Sequence, residues 1–261
     1  MPEQKTIALD GRQVRLLVGG SGPPLLYLHS LGADVDWLEA HERLAARFTV
    51  YLPAHPGFAD SSGVEQIDGI FDYVLHYVDL LDALGMQSVP VVGLSLGGWI
   101  AAELAALYPE RVARLVLCDA VGIWIDATPI GEVFGSTPPE LAETLFFDQT
   151  HPIPAMMRML TSLGDLPEDF VLPQMKAMEA GARVGWNPYL HDPKLEGRLG
   201  RVRAPTLVLW GREDRLVPLL YGERYRDRIK GARLEVIERS GHLPPIERPA
   251  EFADGVARFV P

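Results

Sequence analysis

The chain holds a single cysteine, Cys118. One thiol cannot form an internal disulfide, and no thiolate cluster can be built on it to hold a metal ion. Basic residues are scarce as well: 24 Lys and Arg stand against 35 Asp and Glu, a net charge of −11. That balance repels a phosphate backbone, so nucleic acid is not an expected partner. No apolar run approaches the ~18 residues that cross a bilayer. The opening MPEQKTIALDGRQ lacks the apolar stretch of a signal peptide. The expectation is a cytoplasmic protein without a membrane partner, either monomer or homodimer. There is no internal repeat and no low-complexity tract.

What is present is apolar and ordered in pattern. The 261 residues are 48% hydrophobic, enough for a substantial core. Strand-like runs fall at 14–18, 25–29, 48–53, 89–94, 114–119, 205–211 and 232–238. Between them lie helical patterns at 38–46, 70–84 and 96–108, and a last one from Pro249. In 70–84, Ile70, Val74, Val78, Leu81 and Leu84 recur at helical spacing, and Asp72, Asp79 and Asp82 lie off that stripe. Gly85 suits a left-handed stop. Such alternation predicts an α/β fold with a mostly parallel central sheet of about eight strands and helices on both faces. Residues 121–200 are too many for a simple crossover, and PPELAETLFF and FVLPQMKAMEAG within them look helical. The expected organisation is a core of residues 1–120 and 201–261 with a helical cap inserted at 121–200.

The stretch VVGLSLGGWIAAEL, residues 91–104, sets Ser95 between a strand pattern and a helix pattern. A serine hydroxyl is a weak nucleophile unless a base takes its proton and a third group holds the base. G-L-S-L-G fits the G-x-S-x-G turn that lifts a serine above a sheet edge. Leu96 opens the following helix, so its N–H points toward a developing oxyanion. Asp214 and His242 each follow a later strand, where α/β sheets place ligand chemistry. A lone loop histidine or an exposed loop acid is commonly incidental; the order Ser, Asp, His, each just past a strand, is not.

On these motifs the chain resembles the α/β-hydrolase fold superfamily, in its capped esterase, epoxide-hydrolase and meta-cleavage-hydrolase branch. The resemblance spans nearly everything outside 121–200. It implies a catalytic triad of Ser95, Asp214 and His242. It also makes the Leu31 N–H, in LHSLGAD, the second oxyanion donor beside Leu96, with Ser30 where the family usually has glycine. His29 is expected to brace that loop. AHPGFADSS, residues 54–62, resembles the family's P-G-x-G-x-S loop, with Ala59 in place of its second glycine, and is read as structural. Asp119, at the end of the strand after the nucleophile helix, is the rival acid; the resemblance favours Asp214.

Relatives that open epoxides or displace halide carry aspartate at the elbow. Serine there suits attack on an acyl carbonyl. The expectation is a cofactor-free, metal-free carboxylesterase for small to medium apolar esters. Alternatives are a carbon–carbon bond hydrolase of ring-cleavage dienoates, a lactonase, perhydrolase or acyltransferase, and a ligand-binding receptor on this scaffold. A dienoate carboxylate would need a cation, for which Arg158 and Arg183 are the cap candidates. Five of the seven methionines (Met156, Met157, Met159, Met175 and Met178) fall in the expected cap, with Phe170 among the aromatics beside them. Ordinary packing accounts for most such residues. The pocket reading names Ser30, Trp99, Trp124, Phe146, Met156, Met178 and Trp186. His151 and His191 lack metal-ligand spacing and are read as surface residues.

Overall fold

The computed structural model describes residues 1–160 and 168–261, and side chains outside 161–170. The side chain expected at Phe170 thus lies outside the described residues. The strands are β1 (Glu3–Leu9), β2 (Arg12–Gly19), β3 (Pro24–Leu28), β4 (Thr49–Pro53), β5 (Val89–Leu94), β6 (Val112–Cys118), β7 (Thr206–Gly211) and β8 (Arg233–Ile237). They form one sheet in the order β1-β2-β4-β3-β5-β6-β7-β8. Only the β1–β2 and β2–β4 pairings are antiparallel, so β2 alone runs against the rest.

Alternation along each strand divides the core in two. Leu26, Leu28, Val91, Leu115, Leu117, Val208 and Trp210 face one side. There they pack with α2 (Ile70–Ala83), α3 (Leu96–Leu107) and α8 (Leu219–Arg228). Leu25, Tyr27, Val92, Leu94, Val116, Leu207 and Leu209 face the other, against α1 (Glu39–Ala45) and α10 (Pro249–Phe259). Both faces are covered, which is why the central parallel strands β3, β5 and β7 read as apolar runs rather than alternating polar and apolar. Gly85 ends α2 at φ 69°, and the Met86 N–H returns to the Leu81 carbonyl as such a terminus requires.

Between β6 and β7 lie α4 (Pro138–Leu145), α5 (Pro152–Met159), α6 (Glu168–Gly185) and the short α7 (Leu195–Arg198). Both ends of this stretch are core: Val121, Ile123, Leu195 and Leu199 are buried. Arg198 reaches the fully buried Glu103 of α3 and also pairs with Asp192 at 2.9 Å. On α6, Ala177, Ala180, Gly181 and Val184 turn inward at helical spacing, while residues 172–176 are exposed. Two elements had no clear pattern in the sequence. β1 is an edge strand whose EQKTIAL is mostly exposed, and α8, LLYGERYRDR, is dominated by charge.

Candidate active site

The turn after β5 explains its own glycines. A Cβ on Gly93 would overlap the Gly97 carbonyl, and one on Gly97 would overlap the Leu28 carbonyl. Strand, turn and helix can pass this closely only without side chains. Ser95 sits between them at φ 53°, ψ −111°, a conformation costing about 1–3 kcal/mol for a residue with a Cβ. The structure holds it there through the Ser95 N–H on the Cys118 carbonyl and the Trp99 N–H on the Ser95 carbonyl, at 2.9 and 3.0 Å. Leu96 is the first residue of α3, so its N–H has no acceptor within the helix.

Three loops at the carboxyl ends of β5, β7 and β8 bring Ser95, Asp214 and His242 together. Ser95 Oγ lies 2.8 Å from His242 Nε2, and His242 Nδ1 lies 2.8 Å from Asp214 Oδ2. The other oxygen of Asp214 accepts the Leu216 and Val217 N–H groups at 2.8 and 2.9 Å. A carboxylate held by two backbone donors has one oxygen left, and it fixes the imidazole with the proton on Nδ1 and the lone pair toward Ser95. All three residues are buried, with Ser95 only 6% exposed.

Asp119 does not meet the imidazole. It accepts the Gly211 N–H at 2.9 Å and the Cys118 thiol at 3.0 Å. Burial and the neighbouring Asp214 push its carboxyl well above the usual range. Among the described residues, Asp119, Asp214 and His242 are the group whose ligand atoms are close enough to share a cation, within 4.8 Å. Both ring nitrogens of His242 are already engaged, by Asp214 and Ser95, an arrangement that suits proton transfer.

The loop after β3 is pinned on both sides of Ser30. Its N–H is donated to Asp34 Oδ1 at 2.7 Å, and its carbonyl accepts from His29 Nδ1 at 2.6 Å. In a trans peptide the Leu31 N–H points opposite to that carbonyl, so it is turned away from His29. The His29 Nε2 accepts the His55 N–H, His55 Nε2 donates to the His29 carbonyl, and Tyr77 donates to His55 Nδ1. Every nitrogen is satisfied in the neutral state. Burial pushes the His29 imidazole well below its ordinary range and that of His55 down to about 4. Ala59, in the same 54–62 loop, takes φ 47° where the resembling motif has glycine.

The residues expected to line a pocket differ in burial and in their partners. Ser30 turns its hydroxyl back to accept the Ala33 N–H at 3.2 Å, because a serine in a tight loop bonds its own backbone. Trp99 is a core side chain, 1% exposed, packed against the chain at Gly122. Phe146, 2% exposed, belongs to the core beneath α10 and stacks on His151. Trp124 is half-buried, stacked on His191 and bonded to Asp126. Trp186 and Met156 are 65% and 45% exposed. Met178 alone of the seven lies on α6 and is partly buried against the core. That helix covers the candidate oxyanion loop: Ala177 and Gly181 pack against Gly32 and the Leu31 side chain. Arg158 is exposed and bonded to Gln149, and Arg183 lies 3.4 Å from Glu179. Sequence reasoning passed over Glu247. It is buried five residues after His242 and bonded to the preceding Gly241, and its spacing from the histidine was the available signal.

Fold and site define an α/β hydrolase with a serine at the elbow. The chain belongs to the alpha/beta hydrolase fold family, which it matches over residues 23–249. It is 31% identical to a 2-hydroxymuconate semialdehyde hydrolase from a Pseudomonas species, over 98% of this chain and 93% of that one. A solved structure described as a membrane phospholipase A superposes with a TM-score of 0.82 at 30% identity, covering 99% of this chain and 86% of the other. A 2-hydroxy-6-oxo-6-phenylhexa-2,4-dienoate hydrolase from Rhodococcus gives 0.81 at 25% identity, covering 99% and 98%. No described helix is long and apolar enough to cross a membrane.

Proposed function

We propose that the protein is a serine hydrolase that cleaves small to medium apolar carboxylic esters through an acyl-enzyme. The observation that carries this is the unbroken Ser95–His242–Asp214 hydrogen-bond chain, with 2.8 Å at each link. His242 Nε2 takes the Ser95 proton as Oγ attacks the carbonyl carbon. The Leu96 and Leu31 N–H groups hold the oxyanion. Each such donor is worth about 3 kcal/mol in the transition state. The imidazolium, stabilised by Asp214, returns its proton to the departing alcohol. Water, deprotonated by the same nitrogen, then releases the acid. The substrate is a small molecule, and no cofactor enters any step.

A second reading has support from the named relatives, two of which are hydrolases of ring-cleavage products. The same three residues would then cleave a carbon–carbon bond. Against it, the two arginines proposed as carboxylate clamps are engaged elsewhere. Turnover of p-nitrophenyl acetate and butyrate, measured beside a ring-cleavage dienoate, separates the two. Ester cleavage by wild type but not by Ser95→Ala is the expected result. Equal ester rates in both proteins would sink the ester reading, and fast dienoate cleavage with slow ester cleavage would install the second.

A further inference from the structure

What holds His242 itself is a separate question, and its answer rests on the reading of the triad just proposed. Glu247 ends α9 (Pro244–Glu247) and is 7% exposed. Its Oε2 accepts the Gly241 N–H at 2.6 Å. Its Oε1 accepts the N–H groups of Phe147 and Asp148, at 2.9 and 2.8 Å. Next to these, the His242 N–H is donated to the Leu145 carbonyl at 2.8 Å. The histidine loop and the α4–α5 junction, far apart in sequence, are therefore joined by backbone bonds that run largely through one carboxylate. Their approach leaves no room for a side chain: a Cβ on Gly241 would lie 2.5 Å from the Leu145 oxygen and 2.9 Å from the Phe147 nitrogen.

We propose that Glu247 is a positioning residue for His242, locking the histidine loop to the α4–α5 junction so that the imidazole faces Ser95 only while that junction is seated. A buried carboxylate offers acceptors alone, and all three of its partners here are donors. The consequence is coupling. A displacement of the α4–α5 pair is transmitted to Gly241 and His242 through the same oxygens, which links the segment between β6 and β7 to the catalytic base. Direct substrate contact by Glu247 is not required.

Glu247→Gln tests this with little change of shape. An amide has one acceptor and one donor end, so either Gly241 or the Phe147–Asp148 pair would face an N–H. Gly241→Ala strains the same junction from the other side. Rates of p-nitrophenyl butyrate hydrolysis are normalised to sites titrated with a fluorophosphonate, so that misfolded protein does not count. Glu247→Gln should lower kcat about tenfold with KM within about twofold, the pattern of a misplaced base. Deuterium exchange should rise together at 145–148 and 241–242. Unchanged kcat per titrated site, or exchange rising in only one of the two segments, would overturn the proposal. If wild type neither binds the fluorophosphonate nor cleaves esters, the hydrolase reading fails, and the exchange measurement still decides whether Glu247 couples the two segments. Should Gly241→Ala fail to fold, Glu247→Gln carries the test alone.

Discussion

Two helices flank the candidate site and are built on opposite terms. In α3, every residue from Leu96 to Ala106 is buried. In α6, the inward stripe of Ala177, Ala180, Gly181 and Val184 is buried, while residues 172–176 are exposed, including Leu172 and Met175. The first helix follows the Ser95 turn and is fixed by backbone contacts that allow no side chain. The second lies over the Leu31 loop on the small residues Ala177 and Gly181 and turns Leu172 and Met175 outward. The difference assigns them different duties. On the proposed function, the sheet side sets the chemistry, and α6 shares space with the proposed oxyanion loop.

Substitutions on the two sides should therefore differ in kind as well as in size. The largest effect belongs to the elbow: Ser95→Ala should lower kcat by about 10⁴-fold or more, measured by ester turnover, while leaving the fold intact by circular dichroism. Next comes Gly97→Ala on α3, whose new methyl meets the Leu28 and His29 carbonyls. Overpacking against backbone should cost about 3 kcal/mol or more, read as a fall in melting temperature of roughly 10 °C. Gly181→Ala on α6 meets first the flexible Leu31 side chain rather than backbone. It should lower kcat by about tenfold by moving one oxyanion donor, with a melting temperature close to wild type. If Gly181→Ala destabilised as much as Gly97→Ala, the contrast between the helices would be wrong. At the small end, Met175→Ala, at an exposed position on α6, should change stability by less than about 0.5 kcal/mol.

Acid adds a test confined to the sheet side. His29, His41, His55 and His76 are all buried, and burial pushes each below the ordinary imidazole range, His55 to about 4 and His41 and His76 to about 3. Unfolded, each would take a proton near pH 6.5. Between that pH and the folded value the unfolded chain binds more protons, so stability present above pH 6.5 is lost as the pH falls toward 4. His55 alone contributes about 2 kcal/mol of that loss by pH 5. Melting temperature should drop between pH 7 and pH 5, and His55→Gln should drop less than wild type over that interval.

Much of this was legible in the sequence because its causes are local. The β5–α3 boundary follows from an apolar run, three glycines and an Ala-rich helix, and the end of α2 follows from Gly85. β1 was missed because an exposed edge strand has no apolar face to alternate. α8 was missed because charge surrounds the few residues it buries, Tyr221 and Tyr225 among them. The residues named for a pocket show a different limit. Size and polarity mark Trp99 and Phe146 as either lining or core, and only tertiary packing chooses. Asp119 shows the same limit. It and Asp214 both end up beside His242, and which one meets the ring depends on the direction of two loops.

The central claim, that Ser95 is a nucleophile activated by His242, is tested most directly by intact mass after exposure to a fluorophosphonate. The account predicts a single adduct on wild type, mapped to Ser95 by peptide sequencing, and none on Ser95→Ala. An unlabelled wild type, or an adduct that persists in Ser95→Ala, would contradict it.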